Sequence, residues 1–127
     1  LDFSFSGLKS AVLYHVKKHG IPEGKALADL CASVQEAIAD VLTQKAVRAA
    51  KEQGLSRLVL AGGVAANSRL RALMKERGEA AGIQVYLPSK DLCTDNAAMI
   101  AVAGYLRHLR GAEPAGLQVN ADPAWRP

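Results

Sequence analysis

Between Leu58 and Leu73 the chain reads LVLAGGVAANSRLRAL, and no other stretch restricts its folding as much. The apolar run of Arg57 to Ala61 has the length of a buried strand rather than a helix. A glycine pair follows, then Asn67-Ser68, residue types that cap helices. Leu70 and Leu73 continue at helical spacing, which predicts a helix to about Ala81. Gly82 breaks that helix, and IQVYLP supplies a second strand. Strand, helix and strand in this order call for a crossover, whose regular solution is a pair of parallel neighbours in an α/β layer.

The flanking segments follow the same logic. LDFSF alternates apolar and polar residues, the period of a short half-buried strand. From Ser6-Gly7 the spacing of Leu8, Ala11, Val12 and Val16 predicts a helix ending near His19-Gly20. A second helix is expected from about Gly24 to about Gln53, because Leu27, Leu30, Cys31, Val34, Ile38, Val41 and Leu42 keep three- and four-residue spacing. LCTDNAAMIAVAGYLRHLR is the last helix, with Thr94 or Asp95 at its cap. Residues 1–111 thus carry the regular elements, and 112–127 read as an extended tail. No internal repeat is visible.

The 127 residues amount to about one domain. Half are apolar and only 5% aromatic, so an aliphatic core is expected rather than disorder. A net charge of +4 is compatible with an anionic partner without specifying one. No apolar run approaches the roughly 20 residues that cross a bilayer. Cys31 and Cys93 stand far apart in no metal-like spacing, which suits a reducing, cytoplasmic setting. The chain opens on Leu1 rather than Met and is expected to be a piece of a longer protein, which makes the lack of a signal peptide uninformative.

Gly62 and Gly63 carry no Cβ to obstruct a ligand, and a helix start behind them would offer free N–H groups to a phosphate. The same pair could simply relieve crowding in a strand-to-helix connection, since the motif is neither GxGxxG nor a P-loop. Asn67 could cap the helix or reach the ribose or carbonyl oxygen of a ligand. Asp95 could be a cap or a metal carboxylate, and Cys93 reads as a small buried apolar residue. His15 and His19 share a helix face at i,i+4 but flank Lys17 and Lys18 without an acid, so they read as surface residues, as does His108. Lys9, in the first turn of its helix, opposes the helix dipole, which fits either an ordinary surface lysine or an anion-facing one.

FSFSGLK, LAGGVAANSRLR and CTDNAAMIAVAG, in this order, resemble the C-terminal half of the TsaD/Kae/Qri family, the tRNA adenosine threonylcarbamoyltransferases once labelled glycoproteases or O-sialoglycoprotein endopeptidases. The resemblance runs from Leu1 to Gly111. It implies a partial RNase-H-like lobe of the actin-like ATPase fold shared with sugar kinases and Hsp70. It also implies transfer of threonylcarbamoyl from threonylcarbamoyl-AMP to N6 of the adenosine 3′ to the anticodon of tRNA. Gly62, Gly63 and Asn67 match the loop that holds the adenylate or ATP. Asp95 matches the carboxylate on the active-site iron or zinc. TsaB-like and TsaE-like proteins are the implied partners.

The family's two metal-binding histidines, in an upstream H-x-x-x-H, are not in this sequence; His15 and His19 follow FSFSGLK instead of preceding it. The chain alone is therefore expected to be inactive and without a metal. With two neighbouring strands of the lobe absent, LDFSF is expected to be an open edge that favours self-association. Two other readings compete. A metalloprotease finds no HExxH and no nucleophile–base pair here. A non-catalytic, TsaB-like scaffold would have no need of Asp95 and Asn67.

Overall fold

The computed structural model describes residues 2–116, 118–120 and 124. Residues 1–94 and 95–127 cluster as two separate units. The first is α/β, mostly helical with a small sheet. Its elements are α1 (Ser6–His19), α2 (Gly24–Glu52), β1 (Arg57–Val59), a 3-10 turn (Gly63–Ala66), α3 (Ser68–Ala80), β2 (Gln84–Tyr86) and a second 3-10 turn (Lys90–Leu92). In the second unit α4 (Ala97–Leu109) is the one helix among the described residues.

The strands pair in parallel, Arg57 opposite Gln84 and Val59 opposite Tyr86, as the strand–helix–strand order requires. They are less buried than the apolar run predicts. Leu58 is half-buried but Val59 is 70% exposed. A two-stranded sheet packed on one face by α3 buries alternate residues only, so Leu58, Leu60 and Val85 turn inward.

The core is aliphatic. Ala39 of α2 meets Leu70 and Leu73 of α3, with Leu42 and Leu60 packed around them. Met74 and Thr43 are the largest fully buried side chains. Thr43 is polar, and its position is explained by α3. Arg77 donates from Nη1 to Thr43 Oγ1 at 2.8 Å and to the Asp40 carbonyl at 2.9 Å, and from Nη2 to Asp40 Oδ1 at 2.5 Å. The hydroxyl passes its own hydrogen to the Ala39 carbonyl, 2.8 Å away. One arginine thereby clamps α3 to α2 and satisfies the buried hydroxyl.

Gly78 lets α3 lie close on β2. It is buried, its carbonyl accepts from the Ile83 N–H at 2.8 Å, and a Cβ there would collide with Val85 Cγ2.

The strand expected over LDFSF does not form at residues 2–5, and Leu1 lies outside the described residues. Residues 2–5 carry no regular structure, because no neighbouring strand among the described residues offers its ladder and a lone strand has no hydrogen-bond partners. Phe3 and Phe5 stack with centroids 6.3 Å apart, and Lys45 lies 5.1 Å over the Phe3 ring while donating to the Asp2 carbonyl. The open-edge argument for self-association falls with the strand. The last helix is also capped one residue later than expected: Asn96 is the N-cap and accepts from the Met99 N–H at 3.0 Å. Neither Thr94 nor Asp95 holds that place. No helix among the described residues is long and apolar enough to cross a membrane.

Candidate functional site

The glycine pair sits where β1 ends. Gly62 has φ 89° and ψ 171°, a conformation essentially closed to residues with a Cβ. It turns the chain sharply off the sheet. Gly63 then opens the 3-10 turn rather than α3 itself, so four residues lie between Gly62 and the Asn67 cap. The expected direct glycine-to-helix step is therefore replaced by two successive starts. The Ala65 N–H donates to the Gly62 carbonyl at 2.9 Å, which leaves the N–H groups of Gly63 and Val64 heading the turn. A Cβ at Gly63 would meet no protein atom within 4 Å.

Asn67 performs the capping role. Its Oδ1 accepts from the Leu70 N–H at 2.9 Å, and its Nδ2 donates to Gln35 Oε1 at 2.9 Å. One amide hydrogen remains for another acceptor. Next to it Arg69 makes a fork on Glu36, 2.6 Å from Nε and 2.7 Å from Nη2. That hydrogen bond holds the Glu36 carboxyl below its ordinary value and pushes the Arg69 guanidinium up.

The second loop at this end follows β2. Because the strands are parallel, Ala61–Ala66 and Leu87–Cys93 both leave the sheet at its carboxyl edge, the end at which open α/β sheets bind ligands. Arg71 ties the two loops together. Its Nη1 donates to the Ala65 carbonyl at 2.9 Å and approaches Cys93 Sγ at 3.7 Å, and its Nη2 donates to the Pro88 carbonyl at 2.6 Å. Lys90 Nζ reaches Ser68 Oγ at 3.0 Å. Cys93 is buried, as its reading as a small apolar residue requires, and donates to the Ser89 carbonyl at 3.4 Å.

The structure thus gathers Gly62, Gly63 and Asn67 on one connection, and adds Arg71, Ser68 and Lys90, which the motif reading passes over. A signal for Arg71 is present in the sequence: α3 opens with Arg69 and Arg71 and no acid in its first turn, against the helix dipole. Arginines placed so are held by something else. Asp95 is exposed and belongs to the second unit. His15 and His19 are exposed on α1 with rings 4.8 Å apart, and no three His, Cys, Asp or Glu side chains converge among the described residues.

Beside the glycine turn runs an apolar groove of about 590 Å³ between α1 and α2. Val12 and Val16 form one wall, Leu27, Leu30, Val34 and Ile38 the other, and Val64 and Leu70 close it.

A family model described as TsaD, tRNA N6-adenosine threonylcarbamoyltransferase, matches residues 1–102. The tRNA N6-adenosine threonylcarbamoyltransferase of Anaeromyxobacter sp. (strain Fw109-5) is 67% identical over 127 residues, 99% of this chain and 38% of that protein. The protein of the same name from Geobacter sulfurreducens is 54% identical over 124 residues, 98% of this chain and 36% of its own length. That from Sorangium cellulosum is 56% identical over 111 residues, 87% of this chain and 31% of its own. The chain spans about a third of the length of these relatives. With the match extending from the first residue into α4, the chain belongs to the TsaD family of tRNA N6-adenosine threonylcarbamoyltransferases.

Proposed function

We propose that this chain forms the nucleotide-holding part of an enzyme that transfers threonylcarbamoyl from threonylcarbamoyl-adenylate to N6 of the adenosine 3′ to the anticodon in tRNA. The observation that carries the reading is the Gly62-Gly63 turn at the carboxyl edge of a parallel pair, with open space at the Gly63 Cβ position. There an adenylate phosphate lies against backbone N–H groups without competing side chains. Asn67 stays in its cap and offers its remaining amide hydrogen to a ribose or carbonyl oxygen.

In the reaction the N6 amine attacks the carbamoyl carbonyl carbon and gives up a proton. The bond from that carbon to the phosphate oxygen breaks, and AMP leaves with the electron pair. N–H groups fixed in advance around the phosphate stabilise the charge that develops on it. The turn's own bonds, from the Ala65 N–H to the Gly62 carbonyl and from the Asn67 N–H to the Val64 carbonyl, hold its shape, so these groups need no reordering during the step.

Asp95 is assigned as one ligand of an iron or zinc centre. The described residues of this chain do not themselves fit a metal, since one carboxylate falls short of the about three protein ligands of a catalytic site. The same reading assigns residues 1–111 to an RNase-H-like lobe of an actin-like ATPase fold and 112–127 to a tail. It places the enzyme in the cytoplasm with TsaB-like and TsaE-like partners, and the apolar groove and exposed α4 favour self-association of the chain alone.

The test is Gly63→Val in the full-length protein. The added side chain meets no protein atom near its Cβ, so folding is retained while the phosphate position is filled. Isothermal titration with AMP should show binding lost at an unchanged melting temperature. Unchanged affinity refutes the assignment.

A further inference from the structure

We propose that Arg71 is a positioning residue that sets the separation between the glycine turn and the loop after β2, and through it the affinity for the nucleotide. The inference rests on the nucleotide reading above and goes beyond it, because Arg71 lies behind the turn and need not touch the ligand.

The glycine turn has few internal constraints. Gly62 and Gly63 contribute no side chain, and within the connection the Ala65 N–H donates to the Gly62 carbonyl at 2.9 Å and the Asn67 N–H to the Val64 carbonyl at 3.0 Å. Both are local and hold the shape of the turn, not its place over the sheet. The loop from Leu87 to Ser89 carries no regular structure. Asn67 ties the end of the turn to Gln35 of α2, and Arg71 supplies the tie between the turn and the second loop. Arg71 is half-buried, it projects from the end of the first turn of α3, and α3 is anchored in the core by Leu70, Leu73 and Met74. Its two Nη atoms bond carbonyls six and seventeen positions away in sequence, Ala65 and Pro88.

A planar fork makes both bonds at once with one rigid group. A lysine ammonium at the same place is a point donor on a flexible stem and holds one carbonyl or the other. Without the double tie the turn samples alternative positions, and the nucleotide has to select the competent one, which weakens apparent binding by the fraction lost. The effect belongs to the adenylate side of the reaction. Affinity for tRNA and the chemical step, once the adenylate is seated, stay as they were.

The experiment compares wild type, Arg71→Lys, Arg71→Gln and Gly78→Ala in the full-length protein. Calorimetric titration with AMP is read beside steady-state kinetics with threonylcarbamoyl-adenylate and tRNA. Gly78→Ala is the stability control: it strains the far end of α3 against β2 without touching either loop. Arg71→Lys should raise the Kd for AMP and the KM for threonylcarbamoyl-adenylate about tenfold, the loss of one charged hydrogen bond, and Arg71→Gln, which loses both, at least as much. Their kcat and their KM for tRNA should stay at wild-type values, and Gly78→Ala should keep the wild-type Kd while melting lower. Wild-type Kd in Arg71→Lys and Arg71→Gln overturns the positioning role and leaves the nucleotide site standing. An equal loss of affinity in Gly78→Ala also overturns it, since general loosening would then be sufficient. A wild-type protein that binds no AMP overturns the nucleotide reading itself and the role of Arg71 with it.

Discussion

Replacing Gly78 by alanine should destabilise the protein, although helix propensity points the other way. In an exposed helix interior the change gains about 1 kcal/mol, because glycine has the greater backbone entropy to lose. Here the new methyl would collide with Val85 Cγ2 and lie 3.0 Å from the Ile83 carbonyl oxygen. Val85 can relieve part of the strain by turning, but it is paired with Leu58 in a register only three residues long. The Ile83 carbonyl is backbone and moves only with the strand. Forcing a methylene into such a site costs about 1–3 kcal/mol. Set against the propensity gain, the net loss is about 1 kcal/mol. Urea denaturation followed by circular dichroism should show a lower midpoint at an unchanged slope. In a Val85→Ala background the same change should cost less, because the colliding methyl is gone. A midpoint above wild type for the single variant would refute the close approach of α3 to β2.

Other outcomes follow from the same contacts. Thr43→Val keeps the shape of a fully buried side chain but removes the hydroxyl between Arg77 and Ala39, and should cost about 1 kcal/mol in urea denaturation. An unchanged midpoint would mean that Asp40 alone holds Arg77. The Arg69 bond lowers the Glu36 carboxyl below its ordinary 4.5, so this pair stabilises the fold above that pH, and the contribution is lost as pH falls through the depressed value. Glu36→Gln should therefore melt slightly below wild type at neutral pH and together with it in acid; both groups are exposed, so the difference is small. Asp95→Ala in the full-length protein should reduce metal content by elemental analysis and most of the transferase activity. Its melting temperature should hardly change, because Asn96 is the cap of α4. Full metal content with full activity would refute the ligand role.

Much of this protein follows from its sequence because the signals are local. The spacing of Leu27 to Leu42 and the stops at Gly20 and Gly54 mark α1 and α2 within a residue or so. Strand, glycine pair, Asn67 and strand dictate a parallel pair with a capped crossover helix, and three motifs in order identify the family that the comparison confirms. Tertiary structure decided what depends on a distant partner. LDFSF has the alternation of a strand, but residues 2–5 find no strand to pair with among the described residues and form none. Thr43 looks like a polar interruption of α2 until Arg77, thirty-four residues later, makes its burial affordable. Gly78 reads as a weak point in a helix, whereas its missing Cβ is what admits Val85. Arg71 announces only a clash with the helix dipole; the carbonyls of Ala65 and Pro88 that resolve it converge because two parallel strands end at the same edge of the sheet. Periodicity and capping are written between near neighbours in the chain, and the meeting of two loops is written only in the packing that brings them together.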